Sequence, residues 1–175
     1  MNDAVDDNVV QACQQGDRAA YAKLVERHYR HVFAVCLGML GNVHDAEDMA
    51  QEAMLKGWAS IRRLAKRGRF EPWILKIAKN LCLDLLRKRK RLRARAAGHR
   101  VEPRGRTNGK DDLEWAIREL PLELRVPLTM HYFEQKNARN IARRLNISHS
   151  LACQRIRAAR DELYALLSKG GPHER

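Results

Sequence analysis

Residues 137–167 read NARNIARRLNISHSLACQRIRAARDELYALL, two amphipathic stripes separated by a single break. Ile141, Ala142 and Leu145 recur at helical spacing and make one buried face. Asn146 then suits a left-handed turn, which asparagine tolerates better than most residues. Ser148 is placed to cap a second helix, whose buried face carries Ala152, Ile156, Ala159, Leu163 and Leu166. Two helices joined this way form either a plain helical hairpin or a helix-turn-helix, whose second helix enters the DNA major groove. The early turns of that helix present Ser150, Cys153, Gln154 and Arg157 away from the apolar stripe. Gln and Arg can pair with adenine and guanine edges, whereas Arg155 and Arg160 are better placed for phosphates.

The charge balance upstream favours the nucleic-acid reading. The 175-residue chain carries a net charge of +13, and between Arg87 and Lys110 eleven Lys or Arg face Glu102 alone, so this stretch holds +10 of it. Cations that neutralise phosphates release condensed counterions, which makes such a tract either a polyanion contact or a solvated linker. Turn-forming residues cluster just there, in AAGHRVEPRGRTNGKDD, and separate two helical patterns. The expected organisation is all-α: a helical domain over 1–95, a basic flexible linker over 96–110 and a second small helical domain over 111–170. The linker allows the two to pack together without requiring it.

In the first part, Asp17 can cap a helix carrying Leu24, Val32, Val35 and Leu40 that Gly41 stops. A second helix is expected from near Asn42 to about Leu64, and a third from Pro72, which suits a first turn. Trp73, Ile77, Leu81 and Leu85 recur every four residues and predict its core side. Lys76, Lys79, Asn80 and the run from Arg87 lie off that side. After the linker, DDLEWAIREL predicts a short helix ended by Pro121, and Glu123 to Phe133 another with Pro127 in its first turn.

No apolar run approaches the roughly 20 residues that span a bilayer, and MNDAVDDNVV lacks the basic-then-apolar order of a secretory signal, so a cytoplasmic location without membrane insertion is expected. Cys13, Cys36, Cys82 and Cys153 form no C-x-x-C pair and read as buried or inert thiols. His28 and His31 share a helix face but lack a nearby third ligand in sequence, so a surface or interface role is expected and no metal or cofactor.

One stretch runs against the basic trend: residues 45–54, DAEDMAQEAM, hold four carboxylates, with no Lys or Arg between Asn42 and Leu55. First-turn carboxylates stabilise a helix dipole, but that effect fades within a turn and leaves Gln51 and Glu52 unexplained. Asp45, Asp48, Gln51 and Glu52 fall on one helix face, as a docking surface for a basic partner would need. A magnesium-dependent nuclease would instead gather carboxylates from several elements around a cleft, and no second cluster converges here.

DAEDMAQEAMLKGW, RFEPWILKIAKNLCLDLLRKRKR and LPLELRVPLTMHYFEQKNARNIARRLNISHSLACQRIRAARDEL, in that order, resemble the extracytoplasmic-function (group IV) sigma factors of bacterial RNA polymerase. The resemblance implies a promoter-specificity subunit with no catalytic site, built from a region 2-like bundle and a region 4-like helix-turn-helix. It implies that Asp45, Asp48, Gln51 and Glu52 dock on the β′ clamp helices of core polymerase, that the second domain meets the β flap, and that an anti-sigma factor is a candidate regulator. Lys66, Arg67, Arg69, Lys76, Lys79, Asn80 and Arg87 would match elements that melt and hold the −10 element. His149, Ser150, Cys153, Gln154, Arg155, Arg157 and Arg160 would lie on the helix that contacts the −35 element. Cys153 stands where the family often has Lys or Arg, Asn146 where it often has Gly, and Arg139 and Asn140 replace residues that are often acidic. The alternative is a free-standing helix-turn-helix regulator whose N-terminal helices dimerise, which would bind duplex DNA tightly without polymerase.

Overall fold

A computed structural model describes residues 3–65, 70–95, 109–134 and 137–168. Among them there is no strand. The helices are α1 (Asp3–Gln14), α2 (Arg18–Leu40), α3 (Val43–Ser60) with a 3-10 turn at Ile61–Arg63, α4 (Phe70–Arg95), α5 (Gly109–Glu119), α6 (Leu122–Glu134), α7 (Ala138–Leu145) and α8 (His149–Ser168).

Local chemistry sets most of the boundaries. Asp17 accepts a hydrogen bond from the Ala20 N–H and starts α2, and Gly41, at φ +66°, ends it by returning its N–H to the Leu37 carbonyl. Asn42 caps α3 in the same way through the Asp45 N–H. α1 was not anticipated from the sequence. It buries Val10 and Cys13 against the bundle, and the Gln14 amide donates to the carbonyls of Ile61 and Leu64, so it secures the turn after α3.

In the N-terminal bundle, α3 approaches its neighbours through Ala46, Ala50 and Ala53, all fully buried. Small residues at i, i+4 and i+7 let the helices close together. Tyr21 donates a hydrogen bond from its hydroxyl to the Met54 carbonyl at 2.6 Å and packs tilted against Trp58 and edge-on against Phe70. The innermost ladder of α4 is Phe70, Ile74, Ala78 and Cys82, one position away from the expected ladder of Trp73, Ile77, Leu81 and Leu85, which is only half-buried. Both ladders are apolar, and the one with the smaller average side chain sits where α2 and α3 come nearest. α4 also begins two residues before Pro72 and continues through the basic run to Arg95, so part of the expected polyanion tract is helix.

The C-terminal unit matches the expected helix-turn-helix. Ile141 and Ala142 of α7 and Ala152, Ile156 and Ala159 of α8 are buried. Asn146 adopts φ 54°, and Ser148 Oγ accepts the Leu151 N–H. Pro127 lies deeper inside α6 than expected, in its second turn rather than its first. An interior proline costs a helix about 3 kcal/mol or more, and burial of Pro127 with Leu128, Thr129 and Met130 offsets it.

The two units are packed on each other. α6 lies on α2, and Met130, Ile141 and Ile156 join the same core as Leu24, Val32 and Leu37. A Cβ on Gly38 would come within 2.7 Å of Thr129 Oγ1 and 2.8 Å of Val126 Cα, so only glycine permits this approach. Arg125 donates from Nε to the Gly38 carbonyl and from Nη2 to the Met39 carbonyl, at 2.7 and 3.2 Å. Glu114 accepts from the Asn42 amide and the Val43 N–H. At a third point Arg144 forms an ion pair with Glu71, which also faces His31 Nδ1 at 3.4 Å.

Burial acts to raise the Glu71 pKa, but the hydrogen bond to His31 and the charges of Arg144, His31 and His28 outweigh it and hold the carboxyl below its ordinary value. A carboxyl so depressed contributes stability that is complete above the unfolded-state pKa and is lost as pH falls through the folded one. The acid limb of a stability–pH curve, followed by urea unfolding below about pH 5, is therefore expected to flatten in Glu71→Gln. Leu24→Ala, at a position with no exposed surface, is expected to cost about 2–5 kcal/mol in the same assay.

Candidate nucleic-acid and protein interfaces

The acidic residues of α3 divide into two groups. Asp45 is half-buried, and Arg89 of α4 grips both of its oxygens, Nη1 to Oδ2 at 2.7 Å and Nη2 to Oδ1 at 2.6 Å. This forked pair holds the guanidinium more firmly protonated than usual, chiefly through the hydrogen bonds to Asp45. Asp48 and Gln51 face solvent, and Glu52 reaches Lys56 one turn on at 3.3 Å. The structure thus separates Asp45, turned to its own chain, from Asp48, Gln51 and Glu52, which share an outward face.

Beside that face runs a groove of about 450 Å³ between α2 and α3, walled by Tyr21, Val25, Tyr29, Met54, Leu55 and Trp58. Leu55 is 67% exposed at its rim. Burial raises the Tyr29 pKa, and the Gln51 side chain, hydrogen-bonded to it, works against that shift. Sequence reading found the carboxylates but missed the groove. Its signal was present, since Leu55 and Trp58 continue the Gln51 face at helical spacing.

On α4, Lys76, Lys79, Asn80 and Arg87 are exposed, with Arg87 bonded to Asp84 at 3.1 Å. Lys66, Arg67 and Arg69 lie outside the described residues. On α8, His149, Ser150, Cys153, Gln154, Arg157 and Arg160 are exposed, while Arg155 is half-buried and turns toward the cavity between the two units. His149 Nε2 lies 3.6 Å from Cys153 Sγ in the first turn. Cys153 is thus the exposed thiol among four; Cys13, Cys36 and Cys82 are buried, as the sequence suggested.

The histidine pair does find a third group: Glu71 brings its carboxylate within 4.8 Å of donors from His28 and His31. These are metal-ligand types, yet the carboxylate is already engaged by Arg144, so the cluster is occupied as a polar contact between units. His31 sits at that interface, as expected for an interface role, whereas His28 is buried in the bundle. No described helix is long and apolar enough to cross a membrane.

Two family models match the chain. Residues 24–92 match the family model for Sigma-70 region 2, and residues 110–163 that for Sigma-70, region 4. The chain is 28% identical over 172 residues to the ECF RNA polymerase sigma factor SigW of Bacillus subtilis, covering 88% of this chain and 92% of that one. It is 30% identical over 171 residues to the ECF RNA polymerase sigma factor SigE of Mycolicibacterium smegmatis, covering 88% of this chain and 65% of the relative. Two solved structures share the fold: CnrH in complex with the cytosolic domain of CnrY, at a TM-score of 0.63 and 22% identity over 95% of this chain and 99% of that one, and RpoE of Bartonella quintana in complex with the anti-sigma factor NepR, at 0.62 and 18% over 89% and 98%. An acidic helix, a basic helix and a helix-turn-helix in this order, under both family models, make the chain a member of the extracytoplasmic-function branch of the sigma-70 family of RNA polymerase sigma factors.

Proposed function

We propose that this sigma factor works without catalytic chemistry of its own, as a cytoplasmic adaptor between core polymerase and promoter DNA, and that three surfaces divide the task. The observation that carries the reading is the spatial separation of one outward acidic face, with an apolar groove beside it, from basic faces on α4 and α8. In this reading the unit built from α1–α4 docks on polymerase and opens the −10 element. The unit built from α5–α8 reads the −35 element and meets the β flap.

Asp48, Gln51 and Glu52 bind the β′ clamp helices, and the groove lined by Tyr29, Leu55 and Trp58 takes apolar side chains of the same partner. Such an interface gains orientation from its charges and affinity from its apolar centre. Asp45 serves it indirectly, by fixing α3 to α4 through Arg89. Lys76, Lys79, Asn80 and Arg87, with Lys66, Arg67 and Arg69, hold the −10 strand. Unstacking a base costs a few kcal/mol, which flanking cations and a pocket offset. Gln154 and Arg157, with His149, Ser150 and Cys153, face base edges at −35, while Arg155 and Arg160 contact phosphates.

A nuclease role is disfavoured because the α3 carboxylates do not converge: Asp45 is held by Arg89 and Glu52 by Lys56. An anti-sigma factor is the proposed regulator, supported by the capture of RpoE, a protein of the same fold, with NepR.

In vitro transcription with purified core polymerase on a library of promoter fragments tests the whole reading. Start sites that require this protein and share a −35 and −10 pair are expected; a duplex footprint by the protein alone, with no polymerase-dependent start sites, would revive the free-standing regulator. Asp48→Arg combined with Glu52→Arg is expected to weaken core binding at unchanged helicity, and normal affinity would remove the docking assignment. Arg157→Ala should cost about 1–3 kcal/mol of promoter binding and relax preference at one −35 position. Uniform weakening across all sequences would instead mark Arg157 as a phosphate contact.

A further inference from the structure

We infer that His28 and His31 of α2 and Glu71 of α4 form a binding site for a transition-metal ion of the zinc class, and that Arg144 of α7 holds the ion's place until it binds. These residues are separate from those proposed to meet polymerase and promoter, so the inference stands or falls independently of that reading.

His28 and His31 are one helical turn apart on α2, and Glu71, in the first turn of α4, faces them. A donor atom from each lies within 4.8 Å of the other two. Donors on a tetrahedral zinc, bonded at about 2.0–2.1 Å, stand about 3.3 Å from one another. His31 Nδ1 and Glu71 Oε1 already stand at 3.4 Å, so two of the three are at coordination spacing. His28 has at most about 1.5 Å to close, a movement within the broad torsional well of an imidazole ring. Two imidazoles with one carboxylate select ions that accept nitrogen, such as Zn²⁺, over Mg²⁺ and Ca²⁺, which favour oxygen shells. His28 is buried with its ring against Phe70, so the site backs onto the core, while half-buried His31 and Glu71 leave the other side open to a water as fourth ligand.

The contact made by Arg144 marks the same place. Its guanidinium pairs with Glu71, and its Nη2 stands 3.3 Å from His31 Nδ1, so a cationic nitrogen sits where two of the donors converge. That is the position of a bound cation, filled by a tethered one. A guanidinium can only donate hydrogen bonds, whereas a metal ion accepts lone pairs from both rings and the carboxylate at once. With the ion in place, Glu71 and His31 pass from Arg144 to the metal, and the divalent charge repels the guanidinium. Metal and Arg144 therefore exclude each other at this carboxylate, and removing one strengthens the hold on the other.

Titration of the tag-free full chain with Co²⁺, after dialysis against a chelator, tests the site directly. One Co²⁺ per chain should bind with the visible absorption of a low-coordinate nitrogen and oxygen site, and one equivalent of Zn²⁺ should displace it. Glu71→Gln and His31→Ala, both at half-buried positions, should each weaken Zn²⁺ binding at least about tenfold at unchanged circular dichroism. Because His28 is buried, His28→Gln risks the fold, and the two half-buried ligands carry the test. Arg144→Ala should tighten Zn²⁺ binding, which loss of a merely structural arginine would not do. Zn²⁺ should also raise the melting temperature of the wild type and leave that of Glu71→Gln unchanged. Absence of stoichiometric binding, or binding unaltered in both ligand variants, would overturn the site. A thiolate-to-cobalt charge-transfer band would put the ion on a cysteine and overturn it as well. Unchanged or weaker Zn²⁺ binding in Arg144→Ala would overturn the claim that the guanidinium holds the ion's place.

Discussion

The close approach of α6 to α2 at Gly38 is the contact on which the rest of the arrangement depends. From Val32 to Leu40 α2 carries no polar side chain, and nearly all of that segment is buried. A helix that is apolar all round needs neighbours on every side. α3 and α4 supply two of them from the N-terminal bundle, and α6 supplies the other. With a larger residue at position 38 the C-terminal unit could not seat. The carbonyls at the end of α2 would then lose Arg125, whose charge is disfavoured first by its own burial and then by Arg118. A half-buried guanidinium is tolerable here because carbonyl oxygens accept its hydrogen bonds and the helix end is itself negative.

The second organising contact is Arg89 on Asp45. It ties the start of α3, whose outward face is acidic, to the basic extension of α4. A protein this cationic would draw a free carboxylate patch toward its own arginines. Committing Asp45 to one arginine leaves the basic tail in a defined direction and leaves Asp48, Gln51 and Glu52 facing outward. The acidic and basic faces are thereby held in fixed relation within one bundle, as the proposed division of labour between polymerase and promoter requires. The exposed Cys153 beside His149 stands in the first turn of α8, where its side chain presents a short thiol rather than a long cation to solvent.

Features set by neighbours in sequence were legible from the chain alone. The caps at Asp17 and Ser148, the left-handed residues Gly41 and Asn146, the apolar faces of α7 and α8, and the all-α class follow from side chains acting on backbone groups within a few residues. The exposed faces of α4 and α8 were legible for the same reason, since helical spacing alone determines which residues share a side. Tertiary structure decided the rest, because contacts between distant residues leave no local period. Which of two apolar ladders of α4 is innermost depends on where α2 and α3 stand. Asp45 looked like a surface carboxylate until Arg89 was brought to it, and Glu71 carried no sequence signal for the contact that His31 and Arg144 make on it. The sequence alone allowed the two units to be separate or joined; the fit of α6 over Gly38, a matter of ångströms between two helices, determined that they are joined.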